Sequence, residues 1–250
     1  MNLETLTYPE VATLIQQKVP LVLPVGAIEQ HGPHLPLGTD GFIPYELAMR
    51  VAEGRRLLIA PPMFYGAYSR PRSGGGRHFP GSVGVSGRVL EQTVSTLLAD
   101  WFRQGFQNIV VLNGHMENSW TLLEAIEQAI GSDSAGGGKA LLVHWWEQIQ
   151  PQDVDQIFGN DFPGWNAEHA SILETSMFEY LRPELVRADL KAAGGAKRVT
   201  TYDIFPPPDD ILWPNGIGNT ALPASAEIGK QLVDLLVKRI GEIIDGEFSR

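Results

Sequence analysis

One stretch of the chain, Leu23–Asp40, gathers side chains that can bind metal ions or transfer protons. These side chains are Glu29, His31, His34 and Asp40. They follow the apolar run Leu21–Val25 directly, and such a run is typical of a buried strand. In extended backbone, residues two apart point the same way. We therefore expect Glu29 and His31 to be aimed at a common point beyond the end of this strand.

A second apolar run, Ile109–Leu112, leads to the same pair of residue types in reverse order. His115 stands two positions before Glu117, and the chain has no cysteine that would supply a thiolate. With Asp40, the two strand ends offer carboxylate oxygens and imidazole nitrogens. Such donors suit one or two divalent ions, zinc or manganese, with positions left for water. A divalent ion lowers the pKa of a coordinated water to about 7, so the expected chemistry is hydrolysis.

The charge of these donors favours two ions over one. The three carboxylates of Glu29, Asp40 and Glu117 carry −3, two divalent ions carry +4, and one bridging hydroxide brings the sum to zero. A single ion would leave a negative site, which raises a carboxylate pKa or attracts a second cation. We therefore predict a dinuclear centre, with His34 outside it as a supporting or surface residue.

Apolar runs and helical stripes alternate along the chain. Strands are predicted at 21–25, 57–60, 109–112 and 141–146, and helices at 8–17, 43–53, 90–101, 122–130, 168–180 and 224–246. Strand–helix alternation of this kind predicts the α/β class, as a three-layer α/β/α sandwich with a mostly parallel central sheet. Parallel strands end on one side, and open sheets bind ligands beyond those ends. The candidate ligands fall at that edge, and Asp40 is expected in the loop there.

Several stretches lack a regular pattern and are predicted as loops. They are 64–86, 131–138, 150–167 and 200–222. The first contains three successive glycines, but no Gly-Lys-Ser/Thr follows, so a loop that contacts substrate explains it better than a phosphate cradle. Within the last, the apolar residues of 202–214 are expected to cover a neighbouring subunit or to close over a site.

Composition excludes several classes of protein. The 250 residues are 43% hydrophobic, which is enough for a single large domain over 1–250, and no repeat divides them. The net charge is 19 − 29 = −10, so nucleic acid and anionic membranes are poor partners and a small neutral or cationic substrate fits better. No signal-peptide pattern and no apolar run of roughly 20 residues is present. We expect a cytoplasmic protein.

Four stretches together resemble the creatininase (creatinine amidohydrolase) family. They read LPVGAIEQHGPHLPLGTD, YGAYSRPRSGGGRHFPG, NGHMENS and GWNAEHA. The resemblance implies the three-layer fold, a dinuclear metal site and a homohexamer. It places Glu29 and His115 on one metal ion and His31 and Glu117 on the other, with Asp40 as the bridge.

The resemblance also implies which residues meet the substrate. Ser73, Trp165 and His169 match substrate-contacting positions, whereas Met116 and Asn166 stand where creatinine-acting members have Tyr and Asp. Each departure removes a polar contact worth about 1–3 kcal/mol if buried. The expected substrate is therefore a small cyclic amide, with creatinine itself disfavoured.

The expected reaction is cleavage of a C–N amide bond by a metal-bound hydroxide. His169 is the candidate proton donor to the departing nitrogen, because the pKa of an imidazole lies near neutral pH. Glu168 or Glu117 would orient His169 or accept the proton of the water. Flat side chains are expected to wall the ring and exclude water, namely Trp145, Trp146 and Trp165.

Three other functions remain open from the sequence. A deformylase-type hydrolase of an N-formyl compound would use the same centre. A dinuclear phosphoesterase would use Arg72 or Arg77 as a phosphate clamp. A non-catalytic metal-dependent binding protein fits less well, because structural metal sites are usually closed and this donor set leaves positions open.

Overall fold

A computed structural model describes residues 1–73, 75–131, 136–159, 161–195 and 197–249. Its strands are β1 (Leu21–Val25), β2 (Leu58–Ile59), β3 (Asn108–Asn113) and β4 (Lys139–His144). Its helices are α1 (Tyr8–Gln16), α2 (Thr39–Glu53), α3 (Gly87–Gln104), α4 (Ser119–Ile130), α5 (Pro151–Phe158), α6 (Ile172–Leu181) and α7 (Ala226–Phe248). The strands form one sheet in the order β2-β1-β3-β4, and all three pairings are parallel.

Side chains alternate along the strands between two separate hydrophobic cores. On β1, Val22 packs in the core that α2, α6 and α7 cover, while Leu21 and Leu23 pack in the core that α1, α3 and α4 cover. Successive residues of a strand point to opposite faces, and because both faces are covered the strands consist of unbroken apolar runs. The predicted α/β/α sandwich with a parallel sheet is confirmed.

One of the predicted loops contains a helix. Pro151–Phe158 forms α5, inside the stretch 150–167 that the sequence pattern assigns to a loop. Proline at its first position needs no hydrogen-bond partner, and the Asp153 carboxylate accepts a hydrogen bond from the Gln150 N–H at 2.7 Å. These two signals start a helix of eight residues, which is little more than two turns.

The sixth helix begins later than predicted. It starts at Ile172, and Glu168 and His169 precede it. The Glu168 carboxylate accepts hydrogen bonds from the N–H groups of Leu173 and Glu174, at 2.9 and 3.1 Å, and so caps the helix from outside. The other predicted loops, 64–86 and 200–222, are irregular apart from short 3-10 turns among the described residues. The middle of the stretch 131–138 lies outside the described residues.

Asp40 lies in a helix and not in the predicted loop. It is the second residue of α2, where a carboxylate is stabilised by the helix dipole. Both central strands are followed by a glycine, and α2 starts between them. A Cβ on Gly26 would overlap the backbone of Asp40 and Gly41, and one on Gly114 would overlap the Asp40 carbonyl and the Pro44 ring. Glycine permits this close approach, which fixes Asp40 at the carboxyl edge of the sheet.

None of the helices in the described part of the chain combines the length and apolar character that a bilayer span requires.

We predict that Gly26→Ala destabilises the protein, because the added methyl group pushes the first turn of α2 away from β1. Overpacking of this kind costs about 1–3 kcal/mol of unfolding free energy, which urea denaturation measures. Gly54→Ala, at the other end of α2, is the matched control, since no atom lies within 4 Å of its added Cβ. Equal stability of the two variants would contradict the packing argument.

Candidate metal centre and active site

Carboxylates and imidazoles converge beyond the carboxyl ends of β1 and β3 and are buried there. Glu29, His31, Asp40 and His115 are each at most 3% exposed. The side chains form three overlapping groups of three. Within each group the donor atoms lie within 4.8 Å of one another, and the groups are Glu29–Asp40–His115, His31–Asp40–Glu174 and Glu29–His31–His169. Burying this many ionisable groups is unfavourable unless opposite charge compensates them.

Asp40 is shared by two of these groups. Its Oδ2 lies 2.9 Å from His115 Nδ1, and its Oδ1 lies 3.1 Å from His31 Nε2. Burial alone would raise the pKa of Asp40, but the charges of His31 and His115 hold that pKa below its ordinary range. Burial would also lower the pKa of each histidine, but the surrounding carboxylates raise it well above the ordinary value. The carboxylates therefore attract a cation, proton or metal ion, to each imidazole.

The distances in this cluster are short, but the alignment is poor for hydrogen bonds. Within the described residues, His31 Nε2, Asp40 Oδ2 and His115 Nε2 are buried without a partner in hydrogen-bond geometry. His31 Nδ1 lies 3.0 Å from the Glu29 carbonyl oxygen, and an N–H that donates there leaves Nε2 as an acceptor facing the cluster. Nitrogen and oxygen lone pairs that point to one place, with no hydrogen bond between them, are a suitable binding site for a metal ion.

Glu174 belongs to the cluster, although it is not predicted from the sequence as a site residue. Its Oε2 accepts a hydrogen bond from the Ala170 N–H at 2.6 Å and lies 3.7 Å from His31 Nε2. In α6, every position from Ile172 to Phe178 is buried, Glu174 included. A charged residue inside an otherwise uncharged helix segment is rarely buried unless it is paired, and this is the signal that would have revealed it.

The turn before α6 is strained and places His169. Ala170 has a φ of +51°, a left-handed conformation that costs a non-glycine residue about 1–2 kcal/mol. The hydrogen bond to Glu174 holds this turn. The His169 ring lies 4.5 Å from the His31 ring, measured between centroids, and is 7% exposed. Strain of this kind is found at functional sites.

Gln30 is a second contact that the sequence does not reveal. Its carbonyl oxygen and its side-chain nitrogen both lie 2.9 Å from His169 Nε2, and the side-chain nitrogen also lies 3.0 Å from the Gly216 carbonyl. If His169 Nε2–H donates to the Gln30 carbonyl, the side-chain amide donates to Gly216. His169 Nδ1 is then the ring atom left to bind or release a proton.

Glu117 is held by the loop 70–73. Its Oε1 accepts hydrogen bonds from the Arg70 N–H, at 2.9 Å, and from the Ser73 hydroxyl. Its Oε2 lies 3.4 Å from His115 Nε2. The alternation of extended backbone does not apply to His115 and Glu117, because Glu117 lies in the 3-10 turn Met116–Asn118. The side chain reaches the site through this turn.

Glu168 holds a proton near neutral pH. Burial, with the negative charge of Glu174, raises the pKa of Glu168 to about 8. Its Oε2 is buried without a hydrogen-bond partner in the described part of the chain. His34, predicted as a supporting or surface residue, is buried. Its Nε2 lies 2.8 Å from Thr175 Oγ1, and burial and the charge of His31 lower the pKa of His34 to about 4.

A cavity of about 50 Å³ opens onto these groups. It brings together most of the predicted site residues, namely Glu29, Asp40, Ser73, His115, Met116, Glu117, Trp145, Trp146, Trp165, Glu168 and His169. Trp145 is buried, whereas Met116 and Trp165 are 51% and 37% exposed and form the rim. Asn166 does not line this central cavity and faces an adjoining one.

The fold and the site define the class of protein. A parallel α/β sheet with a carboxylate–imidazole centre at its carboxyl edge is an arrangement suited to metal-assisted hydrolysis. The family model for creatininase, described as creatinine amidohydrolase, matches residues 4–244. The chain belongs to the creatininase family, and it is an amidohydrolase, an enzyme that hydrolyses a C–N bond.

Individual proteins agree with this assignment. The chain is 34% identical over 232 residues to creatinine amidohydrolase of Pseudomonas putida, with 91% of this chain and 89% of that protein covered. It is 33% identical over 190 residues to mycofactocin precursor peptide peptidase of Mycolicibacterium smegmatis, with 72% and 65% covered. A solved structure of creatininase in a manganese form matches at 32% identity with a TM-score of 0.95, covering 100% of this chain and 99% of that one. The resemblance and the enzyme class predicted from the motifs are confirmed.

Proposed function

We propose that the chain, as a single domain over 1–250, uses divalent metal ions to hydrolyse a C–N amide bond of a small cyclic amide. The observation that carries the proposal is the buried cluster of Glu29, His31, Asp40 and His115, in which donor atoms lack hydrogen-bond partners. The creatinine amidohydrolase of Pseudomonas putida supports a non-peptide amide as the bond that is cleaved.

The donors fit two ions. Glu29 and His115 would hold one ion and His31 the other, with Asp40 between them and Glu117 completing the set as the motifs suggest. Glu174 adds a fourth carboxylate to those of Glu29, Asp40 and Glu117, so two divalent ions balance four negative charges. When bound, such ions activate water and polarise an amide carbonyl. The manganese form of creatininase supports manganese, and zinc accepts the same donors.

The chain's own residues move the protons. His169 Nδ1 protonates the departing nitrogen, and Glu168, whose pKa is raised to about 8, supplies a second acid in the same cavity. Glu117 is the carboxylate placed to accept the proton of the attacking water, with Ser73 and the 70–73 backbone fixing its orientation. Trp145 closes the cavity from the core side and excludes water.

The rim favours an uncharged ring. Met116 and Trp165 offer apolar surface at the mouth of the cavity. Asn166, which lines the adjoining cavity, offers an amide donor to a carbonyl or hydroxyl group and no counter-charge to a cationic guanidino-like group. The ring that enters the central cavity is therefore an uncharged cyclic amide or a related polar ring, and creatinine fits that cavity poorly.

We also propose that the chain forms a homo-oligomer, a hexamer by family resemblance, in the cytoplasm. In the segment 202–214, Ile211 and Trp213 are buried within the chain, whereas Tyr202 and Phe205 are 58% and 72% exposed. These exposed rings are the surface that a neighbouring subunit would cover. A monomer mass in multi-angle light scattering would contradict this assembly.

The metal proposal predicts two divalent ions per chain after purification in manganese or zinc. Glu174→Gln removes one of the four balancing charges, so we expect about 10–100-fold weaker binding of the second ion, measured by titration with metal analysis. Glu179→Gln in the same helix is the control, because Glu179 pairs with Lys191 at 2.7 Å, outside the centre. One ion per wild-type chain, unchanged by added metal, would refute the dinuclear centre.

The reaction is tested by a metal-supplemented screen against hydantoins, lactams, creatinine, formamides and an aryl phosphate. We expect turnover of the neutral rings. Preferred turnover of a formamide would favour the deformylase alternative, and turnover of the phosphate alone would replace amide hydrolysis by phosphoester hydrolysis.

For creatinine itself, we expect a kcat/KM below about 10⁴ M⁻¹s⁻¹, the low end of ordinary enzymes. The double variant Met116→Tyr with Asn166→Asp restores a hydroxyl group and a negative charge, and should raise creatinine turnover. Met116→Leu keeps the position apolar and should leave it unchanged. Efficient creatinine hydrolysis by the unmodified protein would show that the two departures do not set selectivity.

A further inference from the structure

A second cavity adjoins the central one, with a volume of about 210 Å³. Two pairs of sequence neighbours lie between the two cavities. Ser73 and Trp165 line the central cavity, while Arg72 and Asn166 line this adjoining cavity. The walls of the two cavities are therefore one residue apart at two places.

The adjoining cavity is locally positive, although the chain carries a net charge of −10. Its described lining includes three cationic side chains, Arg72, Lys197 and Arg198, and no acidic one. Arg198 is already neutralised, because Asp210 accepts two hydrogen bonds from it at 2.7 and 3.0 Å. Arg72 meets Asp203 only at 3.9 Å, and both side chains are about half exposed. Arg72 and Lys197 thus retain positive charge toward the cavity.

Lys197 is fixed in the cavity wall. Its ammonium group donates to the carbonyl oxygens of Pro71 and Arg72, both at 3.1 Å, and lies 4.2 Å from the centre of the Trp213 ring. An ammonium group has three donors, and these two carbonyl groups use two of them. Burial and the positive charge of Arg72 lower the pKa of Lys197 to about 8. Two neighbouring cations that disfavour each other's charge are stabilised by an anion placed between them.

We propose that the adjoining cavity binds a carboxylate group of the substrate, so that the substrate is a cyclic amide with an acidic substituent. Lys197 and Arg72 supply the charge, and the Asn166 side chain supplies an amide donor. This inference rests on the proposed amidohydrolase function and deepens it. The overall acidic charge suggests a neutral or cationic substrate, but the local field at the site decides which charge is bound.

The chemistry of the lining favours a carboxylate over a phosphate. Val199, Ile211 and Trp213 make much of the wall apolar, which suits the methylene groups that join a carboxylate to a ring. The planar fork of an arginine matches the two oxygens of a carboxylate. An inorganic phosphate ion presents three strong acceptor oxygens and no apolar group that would pack against this wall.

The experiment is calorimetric titration of the metal-loaded full chain with succinate, succinamide and inorganic phosphate. We expect succinate to bind at least about tenfold more tightly than succinamide, and Lys197→Gln to weaken succinate by about tenfold or more, as for loss of a charged hydrogen bond. Arg72→Gln, at a half-exposed position, should act in the same direction, and Lys197→Arg should restore binding. Arg77→Gln removes the same charge from the same irregular segment 64–86, where Arg77 lies over the Tyr68 ring at 4.1 Å and outside the cavity lining, and should leave succinate affinity unchanged.

Three outcomes would overturn the inference. Equal affinity for succinate and succinamide would show that charge is not recognised. Succinate binding unaffected by Lys197→Gln and Arg72→Gln would place the carboxylate elsewhere, the metal centre included. Phosphate bound more tightly than succinate, and lost in Lys197→Gln, would show a phosphate site and not a carboxylate site.

A kinetic comparison separates this inference from the proposed function. Hydantoin-5-acetate and 5-ethylhydantoin share a ring and differ in the carboxylate, and we expect the acid to have the lower KM in the wild type and to lose that advantage in Lys197→Gln. If neither ring is hydrolysed but succinate binding follows the expected pattern, the proposed reaction is wrong and the carboxylate site stands. If 5-ethylhydantoin is hydrolysed and succinate binding fails, the carboxylate site is wrong and the reaction stands.

Discussion

The burial of Glu29, Asp40 and Glu174 beside three imidazoles is the constraint on which the rest of this structure depends. Removing an ionised carboxylate from water costs several kcal/mol even after the protein relaxes, and the cluster is stable only where opposite charge is held among the carboxylates. The architecture brings the donors to one point. Parallel strands end at one edge, and the glycines after β1 and β3 let the first turn of α2 enter between them. A fold that positions carboxylates so closely is a scaffold for cations.

Local sequence patterns predicted most of the fold and part of the centre. The rest could not be predicted, because it depends on contacts between segments that are distant in the sequence. Glu29, His31 and His115 stand next to apolar strands, so their place at the sheet edge follows from strand direction. Glu174 lies in a later helix, and its approach to His31 depends on how α6 packs. The late start of α6 also depends on a contact that the sequence pattern does not show. The Glu168 side chain accepts hydrogen bonds from N–H groups in the first turn of α6, so Glu168 caps the helix and is not part of it.

The candidate metal-binding donors and many of the residues that line the cavities lie in different parts of the fold. The candidate metal-binding carboxylates and imidazoles lie at the sheet edge, and they are the residue types that the family motifs contain. The segments 64–86 and 200–222 contribute Ser73 to the central cavity and Arg72, Ile211 and Trp213 to the adjoining one, and irregular backbone of this kind varies without disturbing a core. The departures at Met116 and Asn166 and the positive lining around Lys197 all lie outside the buried cluster. Selectivity can therefore change while the chemistry of the centre is kept.

The loop 70–73 joins the two regions. On one side the Arg70 N–H and the Ser73 hydroxyl fix the Glu117 carboxylate, and on the other side the carbonyl groups of Pro71 and Arg72 accept hydrogen bonds from Lys197. A carboxylate bound at Lys197 and Arg72 would restrain the loop that orients Glu117. Contacts with a remote part of a substrate accelerate a reaction when their binding energy is used to position the reacting groups. Under the proposed mechanism, this loop would connect the far end of a bound substrate to the carboxylate of Glu117.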